Sequence, residues 1–290
     1  MEKITGRKRI LPADKRTLIY LLVFLAGVSI MLYPSISNLW NQHVFRTQVS
    51  SYEDKIDSGK VDKDAEMEAA KQYNRELSPK VVPDAFSAKA GKKDVAYEEV
   101  LDIGQDGMMG YISIPSINIE LPVYHYTRDD VLKKGAGHLL GSSLPVGGKG
   151  THSVISAHRG LPSAKMFTDL NLLQKGDSFY IHVLDKRLKY KVDRIEVVDP
   201  DETSSLGIES EKDLVTLVTC TPYGVNTQRL LVRGHRVPDD PDTDGAVKHN
   251  HKRVIMTVLC ILAGIALAFL ISRVFDRKRK RWENGTHNNS

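Results

Sequence analysis

The sequence predicts a mainly β domain, a closed or nearly closed barrel or a sandwich, set between two membrane-spanning helices. Three observations predict it. Seven short β-rich runs separated by Gly/Pro turns follow Tyr111, the stretch before residue 78 reads helical, and two apolar runs, Leu18–Tyr33 and Val254–Ile271, frame the whole.

In chain order, residues 1–16 form a basic tail with Lys3, Arg7, Lys8, Arg9, Lys15 and Arg16. The apolar run that follows, closed by Pro34, makes 17–34 a signal anchor: no small-x-small cleavage site succeeds it. Residues 35–77 read as helix. Leu39, Val44, Phe45, Val49 and Tyr52 give an imperfect helical stripe, and Asp62 to Leu77 is rich in Ala, Glu, Lys and Met. Ser78-Pro79 and Pro83 stop the helix, and 78–93 is a long exposed loop.

The β body spans 94–240. Its runs are Tyr111–Ile114, Ile117–Val123, His152–Ala157, Ser178–Leu184, Arg187–Val198, Leu214–Thr219 and Arg229–Val237, with short helices expected at Arg128–Lys134 and Ala164–Leu173. Residues 241–253 are a linker. The second span, 254–271, is eighteen residues without a charge, long enough to cross the hydrocarbon layer as a helix. Residues 272–290 form a second basic tail. The cationic flanks place both termini in the cytoplasm and the body outside, in a two-span cell-membrane protein.

The charge distribution excludes one function class. The chain has 290 residues and a net charge of +5, but each tail holds six Lys/Arg and two acids, leaving −3 for the 255 residues between them. The basic character belongs to the tails, where aromatics do not interleave with the cations as a stacking platform would, so no nucleic-acid partner is expected. Two cysteines exclude a disulfide-dense scaffold. Cys260 lies in the second span, so Cys220 is the lone thiol of the exported body.

Three residue types in that body suggest one chemistry. Leu214–Thr219 is a continuous apolar and β-branched run, a buried strand, ending at Cys220 before the turn residues Thr221-Pro222-Tyr223-Gly224. Ser153–Ala157 ends the same way with His158. A histidine beside a cysteine favours the thiolate, the nucleophilic form. Nine residues past Cys220, Arg229 opens a strand, where a guanidinium could hydrogen-bond a developing oxyanion. Arg233 shares its face, and strand parity leaves the two tied. His138 and His152 fit structural or surface roles. No histidine pair has the helical spacing of a metal site, so neither metal nor cofactor is expected.

Together these residues resemble the sortases. TLVTC at 216–220 matches the TLxTC motif, with His158 after a strand and Arg229 nine residues downstream. GAGHLLGSSLPVGGKGTHSVISAHRG and TLVTCTPYGVNTQRLLVRGHR resemble class C, the pilus-assembling sortases. The resemblance implies an eight-stranded sortase barrel with short helices, preceded by N-terminal helices and a lid. It implies a cysteine transpeptidase that cleaves an LPxTG-like sorting signal between Thr and Gly, forms a thioester on Cys220 and transfers it to a lysine amine of another pilin subunit. It assigns Cys220, His158 and Arg229 to catalysis. A class C lid carries an Asp, one residue, then an aromatic. Here that is Asp84-Ala85-Phe86, with Ala where the family often has Pro. Asp84 would pair with Arg229 and Phe86 would cover Cys220. Residue chemistry alone leaves two other readings open: a membrane-bound cysteine protease, with water as acceptor, and a non-catalytic surface scaffold.

Overall fold

The computed structural model describes residues 15–77, 84–86, 94–239 and Gly264, with side chains from residue 22 onward. The N-terminal tail before residue 15, most of the 78–93 loop, the 241–253 linker, the second span and the C-terminal tail lie outside the described residues, Gly264 excepted. The chain divides into two units, Met1–Val247 and Lys248–Ser290. The described helices and the whole barrel belong to the first.

Helix α1 runs Lys15–Asp57 straight through Pro34. The apolar run and the helical segment after Pro34 are thus one continuous helix. Proline removes one donor from the ladder, and good helix formers on both sides carry the helix across it, as in many membrane helices. The two halves differ in what they meet. From Leu22 to Trp40 most of the large apolar side chains are exposed, Ile30 by 75%, and the stretch is long and apolar enough to cross a membrane. Leu39 belongs to this exposed half, not to the buried stripe. Phe45, Val49, Tyr52 and Ile56 are buried at helical spacing and pack on the barrel. The Tyr52 hydroxyl donates to the Met109 carbonyl at 3.2 Å and accepts from the Leu184 N–H at 2.8 Å. Helix α2, Lys63–Glu76, starts on Asp62, whose carboxylate accepts from the Ala65 N–H at 3.0 Å. Asn74 fastens it to the body through both backbone groups of Leu144. A single turn, α3, follows at Val95–Glu98.

Eight strands close into a barrel: β1 Met108–Ile114, β2 Ile119–His125, β3 Ala136–His138, β4 Thr151–Ser156, β5 Ser178–Val183, β6 Lys186–Val198, β7 Asp213–Thr221 and β8 Gln228–Arg236. Their order is β1-β2-β3-β4-β7-β8-β6-β5, with β5 pairing back on β1. All seven expected strands are present within a few residues. The eighth, β3, is three residues long, too short to show a period. One short helix, α4, forms at Asp129–Leu132. The other expected helix, Ala164–Leu173, is instead an irregular segment ending in a 3-10 turn at Leu170–Leu172.

Strand alternation divides the barrel into two faces. Ile112, Ile155, Phe179, Tyr190, Leu217, Leu230 and Val232 fill the interior. Their neighbours Val154, Val218 and Leu231 point outward and form a second, smaller cluster with Leu139, Leu206 and Ala85.

Candidate active site

The site is built where β4, β7 and β8 run side by side. β4 and β7 are parallel, with Ser156 opposite Val218. Two residues further along each strand direction come His158 and Cys220, so both leave the same edge of the barrel together. Two bonds hold this register past the strand ends: the Ala157 N–H donates to the Val218 carbonyl at 3.2 Å, and the Thr219 hydroxyl donates to the Ala157 carbonyl at 2.8 Å. β8 is antiparallel to β7 and sets Arg229 directly opposite Cys220. Alternation puts Cys220 and Arg229 on the outward face, above the Val218–Leu231 patch.

The structure separates the two arginines that parity left tied. Arg229 reaches the lid: its Nε and Nη2 donate to the two carboxylate oxygens of Asp84, each at 2.8 Å. Arg233 is buried in a pairing network, with Nε and Nη2 on Asp193 at 3.0 Å and Nη1 on Glu209 at 2.9 Å. Arg233 therefore ties β6 and the β6–β7 loop to β8.

The Asp84-Ala85-Phe86 triplet lies against the site. Ala85 is 2% exposed and seats in the outer apolar cluster. The Phe86 ring lies 6.1 Å from the His158 ring, and the Arg229 guanidinium carbon stands 5.2 Å from the Phe86 centroid. The Asp84–Arg229 contact that the resemblance implied is present, and Phe86 sits beside His158 and Arg229.

Burial sets the electrostatics of the site. Burial pushes the Cys220 thiol up from its ordinary value, Arg229 opposes that shift, and Asp84 adds to it. Burial likewise pushes the His158 imidazole down, with Asp129 opposing and Lys133 reinforcing. Both effects favour the neutral thiol–imidazole pair over thiolate–imidazolium while the lid is seated.

His138 and His152 have structural partners. His138 is fully buried between the Tyr97 hydroxyl, 2.7 Å from Nδ1, and the Ser143 carbonyl, 2.8 Å from Nε2. His152 is also fully buried. It bridges the Gly207 carbonyl and the Thr216 hydroxyl at 2.8 and 2.7 Å. The surface alternative fails for both.

Sequence reasoning missed the floor of the site, Leu139, Val154, Leu206, Val218 and Leu231, because these residues meet only when the barrel closes. It also missed Arg159, whose Nη1 donates to the Thr221 hydroxyl at 2.9 Å and joins the segment after His158 to that after Cys220. The next residue, Gly160, has φ +82°, and a Cβ there would meet the Tyr223 ring at 3.1 Å. The glycine lets the two segments close on each other.

Residues 112–237 match the model of the sortase domain. Sortase C of Streptococcus pneumoniae is 41% identical, with a TM-score of 0.61, covering 67% of this chain and 97% of that one. Sortase C-1 of Actinomyces oris is 49% identical, with a TM-score of 0.58, covering 60% and 98%. Sortase D of Bacillus subtilis is 33% identical over 131 residues, a stretch that spans 44% of this chain and 63% of that protein's length. Solved sortases align over almost their whole length at two-fifths identity or more, and the family model falls on the barrel that carries Cys220. The chain belongs to the sortase family of cysteine transpeptidases.

Proposed function

We propose that this sortase polymerises pilins: it cleaves an LPxTG-like sorting signal between Thr and Gly and passes the acyl group to a lysine of another pilin subunit. The observation that carries the chemistry is the alignment of three strand ends. Cys220, His158 and Arg229 come from β7, the exit of β4 and the start of β8, on one outward face above an apolar groove. The sortase C of Streptococcus pneumoniae is described in terms of catalysis and pilin substrate specificity, which supports a pilin substrate here.

The reaction begins with the lid displaced, because Asp84 otherwise occupies the Arg229 guanidinium. The Cys220 thiolate attacks the threonine carbonyl carbon. The carbonyl electrons move to oxygen, where Arg229 stabilises the oxyanion. Collapse breaks the C–N bond to glycine, and the His158 imidazolium protonates the departing amine. A thioester remains on Cys220. The lysine amine then attacks it and gives a proton to His158, an isopeptide bond forms, and the thiolate leaves. Covalent catalysis thus divides one amide exchange into two steps. The apolar patch of Val154, Val218, Leu231, Leu139 and Leu206 suits the apolar residues at the start of such a signal.

The apolar half of α1 anchors the enzyme in the membrane, and 254–271 forms a second span with both termini cytoplasmic. Residues 35–77 and 78–93 then act as a helical collar and a lid for the 94–240 catalytic barrel.

The test is incubation of the full chain in detergent with a sorting-signal peptide and a lysine-bearing pilin fragment, with mass analysis. A thioester on Cys220 and an isopeptide product support the reading. Hydrolysed peptide alone makes the enzyme a protease, and no adduct on Cys220 overturns the mechanism.

A further inference from the structure

The segment after His158 has no ladder of its own. Between β4 and the turn at Leu170 it runs through irregular backbone, and Met166 has φ +37°. Backbone groups in such a segment must find partners elsewhere. Some are internal, and one of these starts at the histidine itself: the Phe167 N–H donates to the His158 carbonyl at 3.1 Å, beside Thr168 N–H to the Lys165 carbonyl at 2.8 Å and Gly160 N–H to the Thr168 hydroxyl at 3.2 Å.

Two more come from the anchor helix. Asn38 Oδ1 accepts the Lys165 N–H at 2.8 Å. Asn41 Nδ2 donates to the Ser163 carbonyl at 2.9 Å and to the Ser37 carbonyl of its own helix at 3.0 Å. These asparagines lie three residues apart on one face of α1, flanking exposed Leu39 and Trp40, where the apolar stretch ends. The Lys165 side chain clamps the same segment to the Ile117 carbonyl at 2.8 Å and to Asp169 at 2.9 Å. Ala164, Met166 and Phe167 are buried, so a shift at 163–165 is transmitted to 167 and thence to the His158 backbone.

We propose that Asn38 and Asn41 are positioning residues for His158: the end of the apolar helix stretch grips the 159–167 segment and sets the placement of the imidazole. This inference rests on the catalytic reading of His158. It makes the collar of α1 a part of the active-site scaffold, so that an enzyme trimmed beyond Asn41 keeps its barrel but loses alignment. The two contacts have opposite polarity, and this makes the proposal testable. Asn38 is an acceptor, a role aspartate keeps. Asn41 is a donor, a role aspartate loses.

The experiment uses the full chain in detergent in an Asp84→Ala background, so that the lid does not limit access. Thioester formation with a sorting peptide is followed for kcat, KM and pH profile, alongside thermal melting. Asn38→Ala and Asn41→Ala should each lower kcat about tenfold through misplacement of the reacting group, with KM changed by less than about twofold. Burial now holds the imidazole low, with Asp129 opposing that shift and Lys133 adding to it. A loosened segment admits water, so the inflection due to His158 should move up in pH. Asn38→Asp should restore kcat and profile, while Asn41→Asp should behave as Asn41→Ala.

Parent kcat and pH profile in both alanine variants overturn the proposal. So does a loss of rate that only tracks melting temperature, with the two aspartate variants indistinguishable. His158→Ala in the same background separates this inference from its premise. Retained activity there removes His158 from the mechanism. Lost activity there, with silent asparagine variants, overturns the positioning role alone.

Discussion

Arg229 and Asp84, 145 residues apart, meet in a two-pronged ion pair at 2.8 Å, with side chains only 12% and 7% exposed. A pair this dry is costly to break from one side, because the remaining charge stays desolvated. The same guanidinium lies opposite Cys220 in the β7–β8 ladder. The Asp84 carboxylate therefore holds the cation to which the proposed mechanism gives the oxyanion.

Removing that carboxylate should release the site. Asp84→Ala and Phe86→Ala delete contacts made only with the lid seated, so the population shifts towards open. Iodoacetamide should then modify Cys220 about tenfold faster or more. The sign of the pH effect follows from burial and Asp84, which both raise the thiol. With them gone, thiolate forms at lower pH, and the midpoint of the alkylation profile should move down. Equal rates and midpoints in parent and both variants would show that the triplet is no cover.

Cys220→Ala should abolish the acyl-enzyme and leave the melting temperature nearly unchanged. The site is half-buried at a strand end, and losing one sulfur leaves only a small void. Intact-mass analysis after peptide incubation checks it, and polymer made by the folded variant would refute the nucleophile.

The two arginines of β8 should fail in different ways. Arg229→Ala and Arg229→Lys should both lower turnover, on the order of a hundredfold for alanine, since a lysine lacks the planar fork. Arg233→Ala strands Asp193 and Glu209, and should cost about 1–3 kcal/mol of stability while leaving kcat close to parent. Denaturant melts and steady-state kinetics on the same preparations separate them. The reverse pattern would transfer the oxyanion role to Arg233.

His138 should make the fold acid-sensitive. Burial holds its imidazole down to about 3, against 6.5 when free. As pH falls below 6.5, the unfolded chain takes up a proton that the folded chain refuses until about 3. The stabilisation is therefore complete above the unfolded value and is lost progressively across that window. Unfolding free energy should drop between about pH 7.5 and pH 5, and His138→Asn should flatten the drop. Part of the slope should survive through His182, which burial holds near 4. A slope unchanged by the substitution would assign the acid sensitivity elsewhere.

Much of the fold and the site was legible in the sequence because it is local. Alternation and turn residues marked seven strands, and a β-branched run ending in Cys220 marked a strand end that presents a thiol. The TLVTC string, His158 and Arg229 at their spacing carried the family. The one strand missed, β3, is three residues of Ala, Gly and His, and it exists only because β2 and β4 pair with it. Pro34 closes the apolar run in sequence, but that the helix runs on through it to Asp57 is seen only in the structure.

What only the tertiary structure decided are the relations between distant segments. Arg229 and Arg233 have the same parity and chemistry. Closing the barrel sets one against Asp84 and the other against Asp193 and Glu209. For His138 and His152 the sequence left a structural or a surface role open, and only their burial and backbone partners decided for the structural one. The apolar cluster under Ala85 is assembled from β4, β7, β8, the residue after β3 and the β6–β7 loop, and Asn38 reaches Lys165 across 127 residues. Sequence periodicity reports which face of an element is apolar, because that depends on neighbours two to four residues away. Which partner covers that face depends on strand order and closure, and these are set by the packing of the whole barrel.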